Sequence, residues 1–274
     1  MIKFEKIAIL ACILASPLAV AQDLHPLMSS KYWTSLGAYF ASRDFDGSVN
    51  GSIGIIRPKI DFETAFDLDD APQLLMAEFG WQFSDTWGIA MQHFRSERDG
   101  NKSLREPVPW RDLTFNAGIE IQAETKVAVT RLFVARRFWD GGPHSVRVGA
   151  GIHFLDIRAS IAGQATLNDF STEFRTSVVS AKAPLPNIGV WYRYSPSDRW
   201  LLTARTDWMA ASVDDISGSV WNVAAGASYR LTEHVGLGLN YQFFEIDVST
   251  RSPNWRGEIR TRFAGPHLYF NAYW

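Results

Sequence analysis

The clearest alternation in the chain is the stretch Ser145-Val146-Arg147-Val148-Gly149-Ala150-Gly151-Ile152-His153-Phe154. Every second residue is apolar, and the residues between them are polar, charged or glycine. Because successive side chains of a β-strand point to opposite faces, this stretch predicts a strand with one apolar and one polar face. The same pattern recurs in residues 74–83, 200–210 and 220–231. The sequence therefore predicts an all-β protein.

The start of the chain has the three regions of a secretory signal peptide in order. Lys3 and Lys6 supply a positive start, residues 7–20 are almost entirely apolar, and Ala19-Val20-Ala21 places small residues at a cleavage position. We expect cleavage after Ala21. The predicted division of the chain is a signal peptide at 1–21 and one mature domain at 22–274.

The charge balance excludes one class of partner. Twenty-seven basic and 29 acidic side chains give a net charge of −2, so the chain lacks the basic surface that nucleic-acid binding needs. The single cysteine, Cys12, lies in the expected signal peptide, so the mature chain forms no disulfide. Beyond Ala21 the sequence has no apolar run of about 18 residues, so any membrane span must be part of a closed β-barrel.

Turn signals separate the alternating segments. Short ones lie at 84–86, 140–143, 195–198 and 232–234, and longer polar connections lie at 44–71, 97–112 and 160–182. Short turns at one end and long loops at the other are typical of transmembrane barrels. We predict a transmembrane antiparallel up-and-down β-barrel of about ten strands, with eight or twelve strands as alternatives. The expected strands are 32–43, 72–83, 87–98, 123–138, 144–159, 183–194, 200–211, 218–231, 235–248 and 257–274.

The 14% aromatic content fits this barrel, because transmembrane barrels carry girdles of aromatic rings at the headgroups. The chain also ends on an alternating aromatic strand, which resembles the C-terminal signal by which outer-membrane barrels are recognised for assembly. Tyr269, Asn271 and Tyr273 are expected to face the lumen or the strand that closes the barrel. The residues of the expected assembly signal, facing lipid, are Leu268, Phe270, Ala272 and Trp274. The expected partners are outer-membrane lipid, lipopolysaccharide and the barrel-assembly machinery, around a monomer in the cell outer membrane.

Several stretches resemble the outer-membrane protein W family. They are Phe66-Asp67-Leu68-Asp69-Asp70, Phe79-Gly80-Trp81-Gln82-Phe83-Ser84-Asp85-Thr86-Trp87-Gly88 and Arg147-Val148-Gly149-Ala150-Gly151-Ile152-His153-Phe154. The stretch His234-Val235-Gly236-Leu237-Gly238-Leu239-Asn240-Tyr241 is more similar to related uncharacterised proteobacterial barrels. Together these resemblances span about two thirds of the chain. The W family has eight strands and this chain has room for ten, so the small hydrophobic-solute channel of that family is not carried over.

Charged residues on the polar faces are candidates for the lining of the barrel lumen. They are Glu78, Arg131, Arg147, His153, Arg193, Arg205, Asp207, Arg230 and Arg262. One interpretation is a narrow, porin-like passive channel for small solutes, in which Arg147, Arg193 and Arg205 favour anions. The other is a structural barrel whose charges pair and fill a narrow lumen, and we favour it because charge at membrane depth needs partners.

An outer-membrane enzyme, a lipid A hydrolase or a protease, is the alternative from another class. It would need a histidine and an acid at the extracellular rim, and the nearest combinations are His153 with Asp156 and His93 with Glu97. His153 and Asp156 have opposite parity on one strand, so they point apart. We therefore predict no catalytic residue, cofactor or metal. The acidic residues Asp61, Glu63, Asp67, Asp69 and Asp70 could hold Ca²⁺ or Mg²⁺ shared with lipopolysaccharide phosphates. They lack EF-hand spacing, so we favour the interpretation as a solvated loop.

Overall fold

The computed structural model describes residues 23–50, 60–61, 74–104, 107–110, 113–167, 172–213, 216–250 and 256–274. The predicted signal peptide and most of the acidic stretch lie outside these residues. A single 3-10 turn, Pro26–Met28, precedes the strands. No helix within the described ranges is long and apolar enough to cross a membrane. The strands are β1 Tyr32–Tyr39, β2 Ser42–Asn50, β3 Ile60–Asp61, β4 Leu74–Gln82, β5 Trp87–Ser103, β6 Val108–Trp110, β7 Leu113–Phe115, β8 Glu120–Gly141, β9 His144–Leu167, β10 Thr172–Tyr194, β11 Trp200–Val213, β12 Ile216–Arg230, β13 Val235–Thr250 and β14 Arg256–Tyr273.

Ten of these strands form a closed antiparallel barrel, which confirms the predicted fold. Their order around the barrel is β1, β4, β5, β8, β9, β10, β11, β12, β13 and β14, and β14 pairs with β1 to close the ring. Closure leaves no unpaired sheet edge in the ring. Beyond the ring, β2 continues the line of β1 along β14, β3 pairs with β2, and the β6–β7 hairpin pairs with β9.

The strands extend far beyond the predicted ones at the end opposite the short turns. β8, β9 and β10 have 22, 24 and 23 residues, whereas roughly 9–11 residues suffice for a tilted strand to cross a bilayer. The prediction of long loops at 97–112 and 160–182 is therefore wrong in extent. Asn101, for example, lies in β5 opposite Gln122 of β8. Asn101 and Gln122 are exposed polar residues on the outer face of a sheet that projects beyond the barrel half next to the short turns.

The two faces of the barrel exchange polarity along its axis. In the half next to the short turns, the outer face is apolar, with Leu36 54% exposed and Phe270 60% exposed. In the far half, which is the half away from the short turns, the outer face carries the charged side chains of Arg95 and Glu97, while Phe94, the residue before Arg95, is buried inside. An apolar outer band of this kind is the surface that a bilayer requires, and the polar surface beyond it is suited to water.

Buried side chains, most of them apolar, fill the described interior of the far half. Phe94 of β5 lies at the centre, and its ring centroid is 5.6 Å from those of Phe244 and Phe263 and 6.2 Å from that of Tyr39. Edge-on ring pairs at this separation stabilise a core by roughly 0.5–1.5 kcal/mol each beyond the burial itself. The far half is therefore packed in the manner of a soluble protein core.

Glycines on the inner face make room for the largest inward side chains. Gly80 of β4 is the cross-strand partner of Trp33, and a Cβ at Gly80 would overlap the indole ring. Gly238 of β13 stands in the same relation to the ring of Tyr269. The small residues of the polar faces are thus the counterparts of large side chains on neighbouring strands.

Candidate functional site

The interior of the half next to the short turns is the polar region of the molecule, and eight of the nine predicted charged residues point into it. They are Glu78, Arg131, Arg147, His153, Arg193, Arg205, Asp207 and Arg230. Arg262 lies instead on the outer face of β14, where it pairs with Glu245 of β13 at 2.7 Å. His153 is fully buried at the border of the apolar half, with its ring 5.8 Å from that of Phe244.

Arg131 and Asp207 form the most deeply buried ion pair of the described residues. Arg131 Nη2 donates to Asp207 Oδ1 at 2.8 Å, and the two side chains are 1% and 0% exposed. Asp207 Oδ2 also accepts from Asn222 Nδ2 at 3.1 Å. The guanidinium of Arg131 lies 4.2 Å from the ring centroid of Phe133 and 5.0 Å from that of Trp191. A paired charge with these additional partners tolerates burial, which an unpaired one does not.

A second group of polar side chains crosses the full width of the barrel. Arg205 of β11 donates from Nη1 to Oε2 of Glu78 of β4 at 3.4 Å, and from Nη2 to Oε1 of Gln92 at 3.4 Å. Gln92 Nε2 in turn donates to Glu78 Oε2 at 3.2 Å. Because β4 and β11 are five positions apart in the ring of ten, these side chains meet from opposite walls.

Two interior arginines have only neutral partners among the described residues. Arg147 donates to Oε1 of Gln82 at 2.5 Å. Arg193 donates to the backbone oxygen of Leu27 at 2.8 Å, and its guanidinium lies 5.6 Å from the ring centroid of Trp33. The described part of this interior therefore carries an excess of positive charge.

The segment before β1 covers the interior at the short-turn end. We use the name N-terminal turn for His25–Met28, of which His25 is fully buried and Leu27 and Met28 pack against Leu201 and Tyr273. The backbone N–H of His25 donates to Ser195 Oγ at 2.8 Å, and Nδ1 of the ring accepts from the N–H of Leu27 at 3.2 Å.

The ring of His25 is held in the neutral form. Burial, together with the positive charges of Arg230 and Arg193, lowers its pKa from 6.5 to about 4. Sequence reasoning did not find this role of the segment, because three apolar residues before the first strand carry no periodic signal.

A cavity of about 100 Å³ lies between the N-terminal turn and the polar side chains above it. Leu27 forms its floor, and Trp33, Trp191 and Tyr269 contribute aromatic walls. Arg193 and Arg205 also border it. Aromatic walls with a small number of charged groups are typical of ligand sites.

The structure does not bring together either of the histidine and acid combinations considered for an enzyme. His153 points inward, whereas Asp156 lies on the outer face and pairs with Lys182 at 2.9 Å. His93 is on the outer face and bonds Oγ1 of Thr130 at 2.8 Å. Nearby, Glu97 pairs with Arg95 and Lys126. Across the ranges that the structure describes, no cluster of three His, Cys, Asp or Glu residues could hold a metal ion.

A closed ten-stranded antiparallel barrel with an apolar outer band and a polar interior at the same level defines the class of outer-membrane β-barrel proteins. The chain belongs to the outer membrane protein beta-barrel domain family, whose model matches residues 8–262. This family is broader than the W family, so that finer resemblance stays a prediction. No curated protein sequence matches the chain.

Solved structures of outer-membrane proteins match this chain over most of its length. The outer membrane protease OmpT from Escherichia coli superposes with a TM-score of 0.55 at 11% identity, over 89% of this chain and 96% of that chain. At such low identity this similarity shows the fold alone. The toluene transporter TbuX of Ralstonia pickettii matches with a TM-score of 0.40 at 10% identity, over 91% and 92% of the two chains. Ail of Yersinia pestis matches with a TM-score of 0.33 at 9% identity, over 88% and 98%.

Proposed function

We propose that the protein is a structural, non-enzymatic outer-membrane barrel whose interior does not conduct solutes. The observation that carries this proposal is the contact between Arg205 and Glu78 from opposite walls of the barrel. A side chain that reaches across the lumen occupies the space that a permeating solute would need.

Two further layers support a closed interior. The N-terminal turn covers the short-turn end, and the ring cluster around Phe94 fills the far half. A hydrated ion passing through would have to break the polar contacts and then enter an apolar core, where it loses its hydration without compensation. Between these two layers, the buried ion pair of Arg131 and Asp207 connects β8 to β11.

The proposal also covers how the protein is exported, how it is oriented in the membrane and what it contacts there. Residues 1–21 act as a signal peptide that is cleaved after Ala21, and the short turns face the periplasm, as is usual for such barrels. The apolar outer band contacts outer-membrane lipid and lipopolysaccharide, and the assembly machinery recognises Leu268, Phe270, Ala272 and Trp274. All ten strands of the ring come from one chain, which favours a monomer.

Planar-bilayer recording with the purified full-length mature chain tests this function. We expect no conductance from the wild type and none from the Arg147→Glu variant, because Arg147 does not line an open path. A conducting outer-membrane porin reconstituted in the same way serves as the positive control. A wild-type conductance whose ion selectivity reverses in Arg147→Glu would establish the channel interpretation instead.

A further inference from the structure

The cavity above Leu27 has a surplus of hydrogen-bond donors that no described side chain satisfies. Nε1 of Trp191 and Nε of Arg205 are buried donors without a partner. Nε2 of His267, whose role depends on the tautomer, and the acceptor Oδ1 of Asn271 are also unpaired. Trp191 and His267 are only 7% and 4% exposed. Tryptophan and arginine side chains donate hydrogen bonds and accept none. The unpaired donors of Trp191 and Arg205 therefore require an acceptor from a ligand.

The charges that border the cavity point to the same ligand chemistry. Arg193 and Arg205 contribute two positive charges, and Glu78 contributes one negative charge that Arg205 already contacts. Arg193 has no carboxylate partner among the described residues and uses one donor on the backbone oxygen of Leu27. Hydrogen bonds from arginine to a carboxylate are shorter and stronger than neutral ones.

The volume limits the ligand to a few heavy atoms. At about 100 Å³, the cavity is larger than the roughly 10–15 Å³ that one water needs and smaller than the roughly 150 Å³ cavity that admits benzene in an engineered protein. Its floor at the short-turn end is Leu27 of the N-terminal turn. A ligand can therefore enter by movement of this short segment, without separating the strands.

We propose that this cavity is a binding site for a small carboxylate anion, held by the donors of Arg193, Arg205 and Trp191 above the floor formed by Leu27. The cavity lies inside the barrel between the N-terminal turn and the contact of Arg205 with Glu78, and its donors are present whether or not the barrel conducts. The bound anion neutralises part of the excess positive charge of the interior, for which the described residues provide no partner.

Isothermal titration calorimetry on the full-length mature chain in detergent tests the proposal, with acetate as the probe. Acetamide, which has the same shape without the charge, and gluconate, which has the charge but exceeds the cavity, serve as control ligands at constant ionic strength. We expect saturable binding of one acetate per chain and no binding of either control. Absence of saturable acetate binding would mean that the cavity holds water only, and would overturn the proposal.

A comparison of two arginine variants, one inside the cavity and one outside it, sharpens the test. Arg193→Gln removes one charged donor and should weaken acetate binding about tenfold or more. The matched substitution Arg158→Gln, on the exposed outer face of β9, should leave it unchanged. Equal affinities in both variants would contradict the assignment of Arg193 to the site.

A carboxylate introduced by substitution into the lining of the cavity should take the place of the bound anion. Thr203 of β11 borders the cavity and is the cross-strand partner of Arg193. Thr203→Asp places a carboxylate opposite this arginine, so acetate binding should disappear and the melting temperature without acetate should rise. Thr203→Asn is the uncharged control of the same shape and should retain binding. Circular dichroism and heat-modifiable gel migration confirm that each variant is folded, and undiminished acetate binding by folded Thr203→Asp would overturn the proposal.

Discussion

Tyr32 and Trp274 join the two ends of the barrel sheet through a reciprocal pair of backbone hydrogen bonds. The N–H of Tyr32 donates to the oxygen of Trp274 at 2.9 Å, and the N–H of Trp274 donates to the oxygen of Tyr32 at 3.0 Å. From this seam the antiparallel register runs from Trp33 opposite Tyr273 to Tyr39 opposite His267. The last residues of the chain therefore complete the barrel as well as forming its proposed assembly signal.

Deletion of residues 268–274 should abolish membrane insertion. It removes the partners of β1 from Trp33 to Ala38 and leaves unpaired backbone groups at membrane depth, where no water can satisfy them. Heat-modifiable gel migration and protease resistance measure the loss. The control is an insertion of two glycines after Gly118, which should be tolerated. Gly118 lies in a turn, and a Cβ at this position would have no other atom within 4 Å. A truncated chain that inserts and resists protease contradicts this account of the seam.

Acidification should release the N-terminal turn. His25 is neutral when buried, with a pKa of about 4 against 6.5 when free, so the released segment binds a proton first as the pH falls. Docking is therefore fully stable above pH 6.5 and loses about 2–3 kcal/mol between pH 6.5 and 4. Hydrogen exchange of residues 23–30 at pH 7.5 and 4.5 measures the change. His25→Asn should remove this pH dependence, and an unchanged dependence in that variant would show that another group is responsible.

Breaking the buried ion pair should cost far more than breaking an exposed one. Arg131→Met or Asp207→Leu alone leaves a buried charge without its partner, so the free energy of unfolding should fall by roughly 3–5 kcal/mol. The double variant should be less destabilised than the sum of the two. Arg260→Met, which breaks a half-exposed pair with Asp247, should cost about 0–1 kcal/mol. Urea unfolding in phospholipid vesicles gives these values, and equal losses at the two sites would contradict the burial of Arg131.

Alternation and turn chemistry were sufficient to predict the ring. The predicted strand at 144–159 begins at the observed start of β9, His144, because the turn Gly142–Pro143 is a strong local signal. The outward side of β14 also follows from parity alone: Leu268, Phe270 and Trp274 are exposed, while Tyr269, Asn271 and Tyr273 are buried. The two-residue period assigns each side chain of a strand to one of two faces, and only the choice of the inner face remains. At membrane depth the charged residues identify the inner face, because the outer face contacts lipid.

The same period could not indicate where the membrane ends. Above that level the inner face becomes apolar, as at Ile157 and Ile161, and the outer face becomes polar, as at Arg158. The alternation continues unchanged across this boundary, so it does not mark the level at which the strands leave the membrane. The polar content of residues 160–182 therefore predicts a loop, although most of this stretch is strand in the described ranges. Contacts across the lumen, such as the one between Arg205 and Glu78, depend on which strands lie opposite each other and are not encoded in local spacing.

The central claim is that the interior of the barrel is packed, and the reactivity of a cysteine placed there tests it most directly. Thr261 of β14 is fully buried in the far half, and its neighbour Arg260 points outward with its side chain 43% exposed. The only native cysteine, Cys12, precedes the expected cleavage site, so each variant of the mature chain carries one thiol. We expect a membrane-impermeant thiol reagent to modify Thr261→Cys roughly a hundredfold more slowly than Arg260→Cys, because access requires local opening. Comparable rates for the two variants would show a water-filled interior and contradict the account.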